Sequence, residues 1–366
     1  MTRILIIKLW ALGDILMATP LLMALHALPG GAEITWVADT AYAPLLENHP
    51  LLKEVVAIDT GAWRRLLRRG KLFAWLKESR RLHADMAAQR FDVALNFHPE
   101  KWWLRILCAA PVRIGLSNEA RWGPLTRRLY TKAVPRTPDQ RHSTNRYLDA
   151  ARALGLSGPF DRHMVLRPSA DDVTAARAFL ESRPEHRPGL PLLILHPGTS
   201  KETKCWPPES FSSLCAALSA TNTIVLTGSG SEVDLCRSVV AALPPDTPPP
   251  IIAAGEFERI GLTVALVSQA QAVVTGDTAL LHIASALETP VVGIYGSTRP
   301  RDNTPQFGPH VLLYDDAVPC APCYLDHCPL KGVDHLRCLH TITPARVRGA
   351  LEGLAHDPPV QRVITP

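Results

Sequence analysis

The chain opens on a dense apolar run, Ile4-Leu5-Ile6-Ile7, whose β-branched content predicts a strand over Arg3–Lys8. Leu9–Leu12 reads as a short connection. Ile15, Met17, Leu21, Leu22 and Leu25 then keep helical spacing over Asp14–Leu28, stopped by Pro29-Gly30-Gly31. Ile34–Ala38 is the next predicted strand, followed by a helix around Pro44–Glu47 and strands at Glu54–Ile58, Phe91–Phe97 and Arg113–Gly115. The pattern weakens from Asn118 to Gln140 and resumes as a helix over Thr144–Leu154. A second series begins at Leu192–Leu195 and alternates strands (Thr223–Thr227, Pro250–Ala253, Ala272–Thr275, Val291–Tyr295) with helices (Pro208–Ser219, Glu232–Leu243, Ile260–Ser268, Thr278–Leu287).

Strand and helix in regular alternation argue for parallel sheets covered on both faces. Two such series predict an α/β chain of two Rossmann-like, doubly wound domains, 1–168 and 185–366. Ligand chemistry is expected at the carboxyl ends of the strands. A length of 366 residues is ample for two cores, and 46% hydrophobic with 20% charged residues is ordinary for a globular protein. The 33 prolines are scattered, with no low-complexity run. Lys8 cuts the first apolar run too early for a secretory signal, and no segment nears the roughly 18 apolar residues of a membrane span. A cytoplasmic, non-spanning protein is the expectation.

Charge changes this picture at one place. Gly61–Arg90 holds nine Lys/Arg against Glu78 and Asp85, more net positive charge than the +5 of the whole chain. No zinc-finger, RNP or helix-turn-helix pattern accompanies it, so nucleic acid is not an expected partner. Trp63, Leu66, Leu67 and Gly70 fall on one helical face between Arg64, Arg65, Arg68 and Arg69. That suits a surface helix packed by its apolar face, and equally a site that meets anionic lipid or acceptor phosphates at a membrane surface.

Three strand-to-helix junctions carry candidate chemistry. Gly13-Asp14 follows the first strand, where a carboxylate serves either as a helix-terminus partner or as a base. In His196-Pro197-Gly198-Thr199-Ser200 through Lys204, the hydroxyls of Thr199 and Ser200 and the charge of Lys204 suit phosphate oxygens. In Gly276-Asp277-Thr278-Ala279-Leu280-Leu281-His282, the helix N-terminal amides suit an anion, whereas Asp277 suits sugar hydroxyls. Each pattern is weak alone.

Together, their order resembles the heptosyltransferase family (glycosyltransferase family 9). The resemblance rests on Lys8-Leu9-Trp10-Ala11-Leu12-Gly13-Asp14, Trp36-Val37-Ala38, Pro44 through Pro50, His196-Pro197-Gly198, Lys204-Cys205-Trp206-Pro207, Gly276-Asp277-Thr278 to His282, Thr289-Pro290-Val291-Val292 and Tyr295-Gly296-Ser297-Thr298. It implies a GT-B enzyme that moves heptose from ADP-heptose to a lipopolysaccharide inner-core acceptor with inversion, with a lipid-linked glycan and the inner-membrane surface as partners. It implies Asp14 as general base. Thr199, Ser200, Lys204 and the amides at Thr278, Ala279 and Leu280 would hold the diphosphate, Asp277 the donor sugar beside His282, and Glu232 the ribose. Charge on the leaving group would be met by Lys204 and the helix terminus, so no metal is required for catalysis. Ala279 departs from the family's usual Gly, and Cys205 from its Arg or His. Transfer of another nucleotide sugar or to another glycan, a nucleotide-sugar epimerase and an idle nucleotide-sugar binding module compete with this reading. The Leu-Gly-Asp turn favours transfer.

Of eight cysteines, Cys108, Cys205, Cys215 and Cys236 are dispersed and fit buried thiols. Cys320, Cys323, Cys328 and Cys338 have the ligand type and partial spacing of a structural zinc site, with reduced structural thiols as the competing expectation.

Overall fold

A computed structural model describes residues 1–98, 110–117, 128, 130–135, 142–356 and 361–364. The chain divides into two compact units, Met1–Val165 and Leu166–Pro366. The first contains strands β1 (Thr2–Ile7), β2 (Ala32–Asp39), β3 (Glu54–Ile58), β4 (Val93–Asn96), β5 (Val112–Ser117) and β6 (Lys132–Pro135), in the order β3-β2-β1-β4-β5-β6. The second contains β7 (Leu192–His196), β8 (Thr223–Leu226), β9 (Ile251–Ile252), β10 (Ala272–Gly276), β11 (Val291–Ile294), β12 (His310–Leu313) and β13 (Gln361–Ile364). Their order is β13-β12-β11-β10-β7-β8-β9. Every pairing in both sheets is parallel.

The central strands explain their own sequences. Ile4, Leu5, Ile6 and Ile7 of β1 are fully buried, because a parallel strand covered on both faces needs an unbroken apolar run. Strand order reverses direction at β1/β4 in the first sheet and at β7/β10 in the second. These switch points are where loops part and leave an open crevice at the carboxyl ends. Asp14 follows β1, the His196 segment ends β7, and Asp277 follows β10.

Several elements differ from the pattern read off the sequence. The helix expected over Asp14–Leu28 is two helices, Leu12–Ala18 and Pro20–His26. Pro20 has no N–H to give and its ring would meet the carbonyl four residues back, so the first helix stops and the second starts with proline at its first position. The helix expected near Pro44 is a single 3₁₀ turn, Ala43–Leu45.

The basic stretch is also two helices, Thr60–Arg68 and Leu72–Ala88. Gly70, at φ +67°, ends the first: its N–H reaches Leu67 O, and Lys71 N–H reaches Leu66 O, closing the left-handed turn that glycine adopts most easily. The apolar face is therefore narrower than expected. Trp63 is buried edge-on against Trp75 and Leu66 is partly buried, but Leu67 is exposed and Gly70 lies beyond the helix.

Residues 169–184, left between the predicted domains, carry a helix, Ala170–Glu181, in the second unit. Ser169 caps it through the Asp172 amide, and Asp172 binds Arg259 at 2.8 Å, ahead of the helix Ile260–Ser268. The core of that unit is built from Leu193, Leu195, Trp206, Phe211, Val274 and Ile294, with the Trp206 indole N–H donating to Ile342 O at 2.8 Å.

Candidate functional site

In the first unit, Asp14 stands in the opening turn of the helix Leu12–Ala18. The turn before it is tight enough to hold Ala11 at φ 64°. No side chain caps this helix, so Asp14 is not spent as a cap. Its Oδ2 lies 3.2 Å from Lys8 Nζ, which also donates to Trp10 O at 2.7 Å. Lys8 ends the apolar run of β1, and its side chain is only 3% exposed while that of Asp14 is 39% exposed. A buried ammonium needs a fixed counter-charge, so Lys8 holds one carboxylate oxygen and leaves the group within reach of solvent. The sequence marks Lys8 as a strand end and as the first residue of the Lys8–Asp14 motif, but not as the partner of Asp14.

Arg64, Arg65, Arg68 and Arg69 are all exposed but do not form one cluster. The Arg64 guanidinium lies 5.6 Å from the ring centre of Trp10, beside the Asp14 turn. Arg65 and Arg69 instead line a groove of about 570 Å³ together with Trp63, Lys71 and Arg81, and Arg65 pairs with Asp59 at 3.2 Å.

In the second unit, three βα junctions converge on the crevice of the sheet. His196 closes β7, its Nδ1 3.0 Å from Thr227 O, so a neutral ring carries its proton on Nδ1. Burial pulls its pKa down, partly opposed by the charge of Glu232 and by the Thr227 carbonyl. Glu232 joins two of the junctions. Its Oε2 accepts from Ser229 N and Oγ at 2.6 and 2.8 Å, a reciprocal capping box, while its Oε1 lies where a side chain on Gly198 would be, 1.8 Å from an added Cβ. Glycine at 198 is thus a space requirement.

Lys204 and Asp277 meet. Lys204 Nζ is 2.6 Å from Asp277 Oδ2, and the same oxygen accepts from Thr298 Oγ1 at 2.8 Å. Both side chains are largely buried, 15% and 5% exposed. The pair joins the two βα-turns of the switch point, and Thr298, from the Tyr295–Thr298 segment, brings a third. Thr199 Oγ1 donates to Lys201 O at 2.6 Å, and Ser200 is exposed. Of the three amides at the helix Ala279–Ala286, Thr278 N–H goes to Gly276 O and Leu280 N–H to the Thr278 hydroxyl, which leaves the Ala279 amide outside these bonds. His282 is buried one turn further along.

The Cys-rich segment packs against this loop. Glu202 accepts from the Cys328 amide at 3.2 Å, His327 at 3.2 Å and His335 at 3.1 Å. Those contacts, the Cys328 amide first, hold its carboxyl below the usual range. The expected zinc grouping of Cys320, Cys323, Cys328 and Cys338 is not found: among the described residues no three His, Cys, Asp or Glu side chains are placed to share a metal. Cys320 is exposed, Cys338 is buried with its Sγ against Gly296, and Cys328 Sγ accepts from the Leu336 amide at 3.4 Å. Burial pushes the Cys338 thiol up to about 11 and those of Cys215 and Cys236 up to about 12, so all three are neutral thiols near pH 7. Cys205 is a half-buried thiol, and Cys108 lies outside the described residues.

Two parallel sheets with ionisable groups at both switch points are what the resemblance implied. The profile of glycosyltransferase family 9 (heptosyltransferase) matches residues 79–334. The chain belongs to this family. It is thus a glycosyltransferase, with the two-domain GT-B fold. It is 26% identical to lipopolysaccharide heptosyltransferase 1 of Pseudomonas aeruginosa, over 98% of this chain and 100% of that protein. Two solved structures share the fold. A family 9 glycosyl transferase from Veillonella parvula DSM 2008 superposes with a TM-score of 0.79 at 20% identity, covering 96% of this chain and 97% of that one. The ADP-heptose lipopolysaccharide heptosyltransferase II of E. coli gives 0.73 at 24% identity, covering 97% and 98%. No helix among the described residues of this glycosyltransferase is long and apolar enough to cross a membrane.

Proposed function

We propose that this enzyme transfers heptose from ADP-heptose to a hydroxyl of a lipopolysaccharide inner-core acceptor, with inversion at the anomeric carbon. The observation that carries the reading is the buried Lys204–Asp277 pair at the switch point of the second sheet. It offers a cation to a diphosphate and a fixed acceptor to sugar hydroxyls. Asp14 takes the proton of the acceptor hydroxyl while that oxygen bonds to the anomeric carbon and the bond to the β-phosphate oxygen breaks. Lys204 and the amide end of the helix Ala279–Ala286 receive the charge that develops on the departing ADP, so the scheme routes no step through a metal. Thr199, Ser200 and Glu232 complete the nucleotide side, the first two on the diphosphate and the last on the ribose.

Calorimetry with ADP-, UDP- and GDP-sugars tests the nucleotide, and ADP is expected to bind at least about tenfold more tightly, the size of one good hydrogen-bonded contact. A preference for UDP or GDP overturns the heptose assignment and leaves the fold untouched. Conversion of the sugar with the nucleotide sugar alone, and no acceptor, would instead favour an epimerase.

A lipid-linked acceptor would bring the first unit to the cytoplasmic face of the inner membrane. Phe73 is 91% exposed, flanked by exposed Leu67, Leu72 and Leu76 and by Arg64, Arg65, Arg68, Arg69, Lys71 and Lys77. Apolar tips among cations suit an anionic lipid surface. Flotation with vesicles rich in anionic phospholipid should recover the protein. Phe73→Ser should lower partitioning about 30-fold, since burying a Phe is worth about 2 kcal/mol. Equal partitioning into neutral and anionic vesicles would remove this assignment.

A further inference from the structure

The turn that presents Lys204 is held from outside, by the Cys-rich segment. Glu202–Lys204 is one 3₁₀ turn, and too short to fix its own position. Three consecutive residues grip the segment 324–335. Lys201 Nζ pairs with Asp326 at 2.6 Å, Glu202 takes three hydrogen bonds from Cys328 N, His327 and His335, and the buried Thr203 hydroxyl donates to Leu325 O. The fourth residue, Lys204, faces the other way, onto Asp277. The segment is tied down in turn at the sheet side, where Tyr324 N–H donates to Ser297 O, next to Thr298, the second partner of Asp277. Residues 297–335 thus reach Lys204 from both sides, through Thr298 on Asp277 and through Glu202 on the turn.

We propose that Glu202 is a positioning residue for the nucleotide diphosphate. Clamped by His335, His327 and the Cys328 amide, it sets where the Lys204 ammonium stands, which makes the Cys-rich segment a working part of the nucleotide-sugar site. The inference rests on the assignment of Lys204 to the diphosphate. The Glu202 carboxylate accepts three hydrogen bonds from this segment, and the transfer scheme gives it no proton to move. Its place between two histidines and a main-chain amide is that of a bracket.

The test is ADP binding by calorimetry with the full chain, in Glu202→Ala, His335→Ala, His335→Gln and Lys204→Ala, each with a thermal melt. Glu202→Ala and His335→Ala should each weaken ADP about fivefold, the size set by a few partly exposed polar contacts, with melting close to wild type. His335→Gln can still offer an N–H to Glu202 and should bind ADP as wild type does, a rescue that general loosening of the segment would not give. If Glu202→Ala binds ADP like wild type while Lys204→Ala does not, the turn stands by itself and the proposal fails alone. If Lys204→Ala also binds ADP like wild type, the diphosphate assignment fails and takes this proposal with it.

Discussion

Asp14→Asn is expected to lower the transfer rate by about 10³-fold, within the span that a positioned general base contributes, while ADP affinity stays at the wild-type value. The separation follows from the architecture, because every residue assigned to the nucleotide lies in the second unit and Asp14 in the first. Asparagine is the informative replacement. Its carbonyl oxygen can still accept from Lys8 Nζ, now 3.2 Å from the carboxylate, whereas alanine would take the counter-charge from an ammonium that is 3% exposed and leave it the Trp10 carbonyl. A rate loss in Asp14→Ala would therefore mix lost basicity with a disturbed turn. Single-turnover rates with saturating nucleotide sugar, read beside a melting curve, distinguish the two. Wild-type turnover in Asp14→Asn would remove the base assignment.

Lys204→Ala is expected to cost about 3 kcal/mol of stability in the second unit, the range for breaking a largely buried ion pair by removing one partner. The cause is Asp277, whose side chain is 5% exposed and whose Oδ2 would keep the Thr298 hydroxyl but lose its counter-charge. The same change should weaken ADP about 30-fold, the worth of a charge-assisted contact to phosphate. A second substitution separates these effects. In Lys204→Ala/Asp277→Asn the stranded charge is gone, so stability should return towards wild type while ADP affinity stays low. Recovery of both together would mean that Lys204 serves the fold and not the nucleotide.

The sequence exposes the chemical inventory of this site better than its wiring. Asp14, Lys204 and Asp277 are each visible as polar residues where a buried strand hands over to a helix, because there the period of the apolar pattern changes. That Lys204 and Asp277 form a pair is not visible, since 73 residues separate them and only the β7/β10 neighbourhood unites them. Lys8 and Asp14 are six residues apart, yet their contact depends on a turn at Ala11 that no periodicity announces. The helix Ala170–Glu181 had a local signal in Ser169-x-x-Asp172, masked by the density of proline and charge around it. The break in the helix after Asp14 is hidden for the opposite reason: the apolar spacing runs across Pro20 without a change of phase, although proline cannot continue the hydrogen-bond ladder. Strands β6 and β13 are short edge strands, where Lys132, Gln361 and Arg362 dilute the apolar pattern.

The two sheets exchange no strand, and their units are contiguous in the chain. A ribosome adding about 5–20 residues per second would have delivered all six strands of the first sheet before any of the second emerged. The first unit can therefore assemble early. The second cannot finish so soon: β7, an interior strand of its sheet, is made first, but β13 covers the edge of β12 only after residues 361–364 appear. Until then β12 presents an open parallel edge, the kind of surface that recruits stray strands. Chains stalled or cut within the last few turns are thus expected to be the ones that aggregate during synthesis.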